Sequence, residues 1–130
     1  MEIANSRIKL SRLDVYLELS CLIALVAYWG YLNLVYESLP ERIPIHFNSA
    51  GKADGYGNKS NLYELPRVAT ILYVLLTGLS LFIYLFKNLL FFSLEESEHK
   101  LKNTIQTVRF SKFLIIILFF SITLFTLQMI

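Results

Sequence analysis

Cysteine is nearly absent: Cys21 is the single one among 130 residues, so an intramolecular disulfide and a cysteine-based metal cluster are both excluded. Proline and glycine are scarce as well, at three and five residues. Pro40, Pro44, Gly51, Gly55 and Gly57 crowd into one short segment, leaving only Gly30, Pro66 and Gly78 elsewhere as helix breakers. Charge is low, with 17% Asp, Glu, Lys and Arg and a formal net charge of +2, and no basic run carries interleaved aromatics. A nucleic-acid partner is therefore not expected.

Three stretches contain no charged residue at all: Leu19 to Tyr36, Val68 to Phe86 and Phe113 to Ile130. At ~1.5 Å per residue, an 18-residue helix reaches ~27 Å, close to the ~30 Å of bilayer hydrocarbon. Hydrophobic residues make up 55% of the chain, and three such helices have no polar face to turn toward water. A cleavable signal peptide is the rival reading of the first stretch, because Arg7, Lys9 and Arg12 resemble a basic n-region. Against it, Asp14 and Glu18 follow, the apolar run exceeds an h-region, and Trp29 and Tyr31 are poor cleavage surroundings.

The expectation is thus an all-α membrane protein, one integral domain over 1–130, whose first partner is the lipid bilayer. Three transmembrane helices are expected at about 14–36, 66–90 and 111–130. A Pro/Gly-rich outer loop, ordered and able to form a short hairpin, falls at 37–65. The N-terminal segment and second loop hold eight of the twelve basic residues, the first loop four and the C-terminus none. The positive-inside rule then puts the N-terminus in the cytoplasm, and the first loop and C-terminus outside the cell membrane.

Ser93-Leu94-Glu95-Glu96 has the spacing of a capping box. Leu94, Leu101, Ile105 and Val108 then recur at helical intervals, predicting a cytoplasmic amphipathic helix over 93–110 that runs into the third span. It suits a membrane surface, a neighbouring helix or a cytoplasmic partner. Asn61-Leu62-Tyr63-Glu64 offers a second capping box, with Pro66 expected to bend the second span soon after.

Polar residues inside apolar spans mark candidate sites, because an ionisable group at that depth is costly. At about 100° per residue, Asp14, Glu18, Cys21, Trp29, Asn33 and Tyr36 share one face of the first span, with Ser20, Ala24, Ala27 and Tyr31 opposite. In the second span Thr70, Tyr73, Thr77, Ser80 and Tyr84 repeat at 3, 4, 3 and 4, and Lys87 extends the stripe. This stripe is expected to face Glu18 and Asn33, with Tyr84 or Lys87 beside the Glu18 carboxylate. Alternatively Glu18 reaches the headgroups and the hydroxyls bond their own helix carbonyls.

The outer loop is the most specific segment. Pro40 and Pro44 hold its first half extended, whereas Gly51 and Asp54-Gly55 favour reversals. A hairpin centred on Ala50 sets His46 opposite Asp54, pairing an imidazole with a carboxylate on one face. Those two residues are the candidate metal ligands, with Glu37, Glu41 and Glu64 nearby, although the spacing matches no zinc signature. A loop-shaping hydrogen bond between them is the simpler use. No cofactor is called for, and Ser49 and Ser60 lack a recognisable base and oxyanion hole for nucleophilic catalysis.

The pattern Leu39-Pro40-x-x-Ile43-Pro44-x-His46-Phe47-Asn48-x-x-Gly51-x-x-Asp54-Gly55-Tyr56-Gly57 resembles the domain-of-unknown-function family 1648. Leu13-Asp14 with Glu18, Leu65-Pro66, and the acidic-then-basic helix before the third span are similar too. The resemblance so read covers nearly the whole chain. It implies a small bacterial multi-span protein related to the N-terminal part of the membrane immunity proteins that guard against the sporulation-delay toxin. Relatives usually carry a fourth span, so it further implies a natural short form, a cut sequence or pairing with another chain, including a second copy. Two roles follow. One is non-enzymatic sensing, immunity or signalling, with the outer loop recognising a peptide, lipid or membrane-protein partner. The other is a membrane enzyme or transporter component using Glu18, His46 and Asp54 for proton or metal chemistry.

Overall fold

Ser11 starts the first helix by a reciprocal cap. Its hydroxyl accepts from the Asp14 N–H at 3.2 Å while its own N–H donates to Asp14 Oδ2 at 2.8 Å, satisfying two donors that the helix cannot. The computed structural model describes residues 11–90 and 95–130, with the side chains of 87–90 and 95–99 outside that description. In order they form α1 (Arg12–Tyr36), β1 (Arg42–Phe47), β2 (Ala53–Asn58), a short 3-10 helix (Lys59–Tyr63), α2 (Glu64–Leu90) and α3 (Glu95–Gln128). All three α-helices contain a window long and apolar enough to cross a membrane. Their outward faces match that reading, since large apolar side chains such as Leu34, 84% exposed, Ile23 and Leu85 have no protein to pack on.

α1 and α3 run parallel, on a nearly constant offset. Ser11 meets Gln106, Glu18 meets Lys112, and Tyr28 meets Thr123. On α1 the inward stripe is Asp14, Glu18, Cys21, Leu25, Tyr28 and Leu32, stepping by 4, 3, 4, 3 and 4, the spacing that keeps one face on a neighbouring helix. Trp29, Asn33 and Tyr36, expected on that same face, instead look toward the 3-10 helix and α2. Two small cores result: Cys21, Leu25, Ala69 and Ile116 in mid-bundle, and Tyr28, Leu32, Ile43 and Leu62 under the loop.

The amphipathic segment expected over 93–110 and the third span are one unbroken helix. Leu101 and Ile105 are buried and continue the inward stripe through Lys112, Ile116, Thr123 and Thr126. Its 34 residues give about 51 Å, so α3 overhangs a ~30 Å hydrocarbon core by about 20 Å. The expected cap at Ser93 lies outside the described residues. Asn58, whose side chain accepts from the Ser60 N–H at 2.8 Å, caps the 3-10 helix that leads directly into α2 at Glu64. Pro66 falls in the first turn of α2, where its missing N–H removes no intrahelical bond.

β1 and β2 pair antiparallel, as the proline and glycine placement implies. At the turn Asn48 Oδ1 accepts from the Ala50 and Lys52 N–H groups, both at 3.0 Å, and Gly51 takes φ +71°, which costs glycine little. The register departs from simple alternation: Pro44 pairs Tyr56, His46 pairs Gly55 and Phe47 pairs Ala53, leaving Ile45 and Asp54 bulged. Ile43 and Pro44 are buried against α1 and α3, and Phe47 meets Phe125 edge-on at 5.2 Å between centroids. Trp29, Tyr63 and Tyr36 form an aromatic stack beside them, with Lys59 4.9 Å over the Tyr36 ring.

Close approach constrains two glycines, Gly55 the more tightly. A Cβ on Gly55 would stand 2.8 Å from His46 Cβ, and one on Gly57 would stand 2.5 Å from Asn61 Nδ2 and 2.7 Å from Ile45 Cδ1. Gly30, in contrast, has nothing within 4 Å. Gly55→Ala should cost about 1–3 kcal/mol and Gly57→Ala less, because the Asn61 and Ile45 atoms it meets end flexible side chains, whereas Gly30→Ala should be neutral or stabilising. Thermal unfolding in detergent micelles checks this: equal midpoints for all three would contradict the hairpin packing.

Candidate functional site

Two polar arrangements stand out, at opposite ends of the bundle. The first lies where the first turns of α1 meet the middle of α3. α1 supplies Asp14 and Glu18, one turn apart, and α3 supplies Arg109 and Lys112, also one turn apart. Because the helices are parallel, the two pairs stack as rungs: Arg109 Nη1 to Asp14 Oδ1 at 2.7 Å, then Lys112 Nζ to both Glu18 oxygens at 2.8 Å. Arg109 Nε bridges the rungs at 3.4 Å from Glu18 Oε2. The Arg109 contacts are ionic and poorly aligned as hydrogen bonds, whereas Lys112 is satisfied in full. It also donates to Thr77 Oγ1 at 2.7 Å and lies 4.8 Å over the Tyr73 ring. Thr77 in turn donates to Glu18 Oε1 at 3.1 Å.

Lys112 is 2% exposed, so its charge depends on these partners. The hydroxyl stripe of α2 is divided in its use. Thr77 faces Glu18, and Thr70 accepts from Trp29 Nε1 at 3.0 Å while donating to Pro66 O. Ser80 donates to Leu76 O in its own helix. Asn33 is met by the Tyr63 hydroxyl at 3.2 Å rather than by this stripe. Tyr84 lines a cavity with Asp14, Glu18, Ser80 and Arg109.

The cation on Glu18 is Lys112, and the Lys87 side chain lies outside the described residues. Lys112 was missed because it immediately precedes an uncharged run and reads as a loop residue. A signal was present in the spacing: acids at i and i+4 before one span, bases at i and i+3 before another.

The second arrangement is the hairpin. His46 Nδ1 contacts Asp54 Oδ1 directly, although the backbone register pairs His46 with Gly55. The bulge at Ile45 and Asp54 swings the carboxylate across to the ring. Pro40 leads in, and Asn48 and Gly51 shape the turn. Ile43 and Pro44 dock inward, while Tyr56 faces out and Gly57 lets Ile45 approach. Among the described residues no group of three or more His, Cys, Asp and Glu side chains comes together. Glu18 is eighteen residues, about 27 Å of helix, from the end of α1 that carries the hairpin, so the structure does not unite it with His46 and Asp54.

Comparison with known proteins falls on the hairpin end. Residues 23–70 match the family model DUF1648, a domain of unknown function. That span takes in the second half of α1, both strands, the 3-10 helix and the first turns of α2, and it is shorter than the near-complete likeness expected from the sequence. The charge rungs lie outside it. An uncharacterised protein of the archaeon Archaeoglobus fulgidus is 42% identical over 50 residues, covering 38% of this chain and 27% of the relative. The match thus spans about a quarter of that relative's length, and its archaeal source carries nothing on a bacterial origin. No solved structure matches.

Both arrangements predict measurable effects. Lys112→Ala strands a buried carboxylate and should cost about 3 kcal/mol, lowering accumulation in the membrane. Removing both partners together, Glu18→Ala with Lys112→Ala, should cost less than the lysine change alone. Equal losses in quantitative membrane blots would overturn the pairing. At the hairpin, His46→Ala and Asp54→Ala should reduce abundance if their contact shapes the loop. Unchanged abundance with lost activity would favour proton or metal chemistry instead.

Proposed function

We propose that this chain is a non-enzymatic membrane protein of the sensing or immunity type, in which the outer hairpin recognises a peptide, lipid or membrane-protein partner and α3 carries the event across the bilayer. The observation that carries this reading is the two-sided character of β1 and β2. One side is fixed: Ile43 packs with Tyr28 and Leu32, Phe47 meets Phe125, and Pro44 is buried beside them. The other leaves large apolar groups in the open, with Ile45 50% and Tyr56 55% exposed beside the polar His46 and Asp54 pair. A firmly held surface of mixed polarity suits recognition, since ordering costs are met before a partner arrives.

A groove of about 430 Å³ runs between the hairpin and α3, bounded by Ile43, Phe47, Leu62, Ile122 and Thr126. Its walls come from the same helix that bears Lys112. A partner pressing on the hairpin therefore acts on α3 directly, with no joint between. Kinship with toxin-immunity proteins is the specific form of this role that the loop motif suggests.

The orientation belongs to the same reading: cell membrane, N-terminus in the cytoplasm, hairpin and C-terminus outside. Withdrawing Arg109 and Lys112 into the bundle leaves six basic residues on the inner side against four on the outer, so the bias keeps its sign. Fusions of alkaline phosphatase after Gly51 and of a fluorescent protein after Leu90 should both be active. The Ile45→Ser and Tyr56→Ser double variant should reach normal abundance yet fail to protect cells in growth tests against membrane-active peptide toxins. Full protection by that variant would remove the hairpin from the function, and inactive fusions would invert the topology.

A further inference from the structure

The charge rungs border a cavity of about 200 Å³ that the outer hairpin does not involve. Asp14 and Glu18 form its floor, Ser80, Leu81 and Tyr84 of α2 one wall, and Lys102, Ile105 and Arg109 of α3 the other. Both carboxylates are already engaged, Asp14 by Ser11 and Arg109, Glu18 by Lys112 and Thr77. The donors are less fully used. Lys102 and Tyr84 have no hydrogen-bond or ion-pair partner among the described residues, and Arg109 Nε and Nη1 have only unaligned contacts. Among the described residues the rungs and the wall together hold three cations, Lys102, Arg109 and Lys112, against two carboxylates. Among the described residues, no acceptor carrying negative charge remains for these donors.

We infer that this cavity binds a phosphoryl oxyanion, held by Lys102, Arg109 and the Tyr84 hydroxyl. An arginine and a lysine flanking a hydroxyl donor suit tetrahedral phosphate oxygens, and a net single positive charge favours an anion over a zwitterion. The apolar walls explain the setting. Leu81 is 55% exposed on the side where lipid would lie, and Ile105 is buried opposite it, so a phosphate entering between α2 and α3 can leave an acyl chain along the outer surface of α2. A basic pocket between transmembrane helices at headgroup depth is where anionic phospholipid heads are held. Free inorganic phosphate shares the chemistry but makes no use of the apolar walls.

The full-length protein, purified in a neutral detergent, is tested by native mass spectrometry with phosphatidylglycerol, phosphatidylcholine and inorganic phosphate in separate titrations. Retention of phosphatidylglycerol should exceed that of phosphatidylcholine by about five-fold, the factor expected for one well-placed cation. Lys102→Gln should erase that preference and Tyr84→Phe should weaken retention of both lipids, each leaving the thermal midpoint in detergent unchanged, because neither residue supports the rungs. Retention of inorganic phosphate that depends on the same two residues, without lipid preference, would support the oxyanion site and assign it to the free ion. Equal retention of both lipids with no phosphate binding, or variants that bind as the parent does, would overturn it. Changes at the hairpin, such as Ile45→Ser with Tyr56→Ser, should leave this binding intact, so the outcome is separate from that of the recognition role.

Discussion

Packed between helices that largely shield them from water, two carboxylates and two cations have essentially one good arrangement, and the bundle is organised around it. Asp14 with Arg109 and Glu18 with Lys112 fix the axial register of α1 against α3. Sliding either helix by a turn would leave one acid and one base unmatched at low dielectric, a penalty of several kcal/mol that no amount of leucine packing recovers. Tyr28 repeats the same offset higher up, with its hydroxyl 2.5 Å from Thr123 Oγ1, so the polar contacts agree along the whole interface. Intramembrane hydrogen bonds of this kind contribute about 0.6–2 kcal/mol each, which makes the ionic rungs the dominant selectors of register.

Once that register is set, the position of the hairpin follows. Leu32 and Tyr28 of α1 and Phe125 of α3 come level at the far end, producing an apolar seat for Ile43, Pro44 and Phe47. Pro44 cannot donate to the strand ladder, and the bulge beside it turns Ile45 outward while delivering Asp54 to His46. The exposed surface of the loop and the buried charges of the span are thus consequences of one alignment.

The parts governed by solvent partition could be read from the chain directly. Three uncharged runs had to be helices in lipid, and the clustering of proline and glycine between Pro40 and Gly57 required a reversal there. What escaped was whatever depends on residues far apart in sequence. Lys112 and Glu18 are separated by 94 positions, and nothing local distinguishes a lysine that folds into the bundle from one that stays at the surface. The continuity of the amphipathic segment with the third span, in contrast, was legible from the helical recurrence of Leu94, Leu101, Ile105 and Val108. Simple alternation set His46 opposite Asp54 in the backbone, and the bulge at Asp54 shifts that pairing to Gly55 while the side chains stay together.

Trp29, Tyr36 and Tyr63 cluster at one end only, and such rings prefer the headgroup layer over either bulk phase. They act as a collar that holds the hairpin end at constant depth. At the other end a thinner bilayer would bring water toward Glu18 and Lys112 and weaken their attraction. Bilayer composition thereby becomes a variable on which the alignment of α1 and α3 depends.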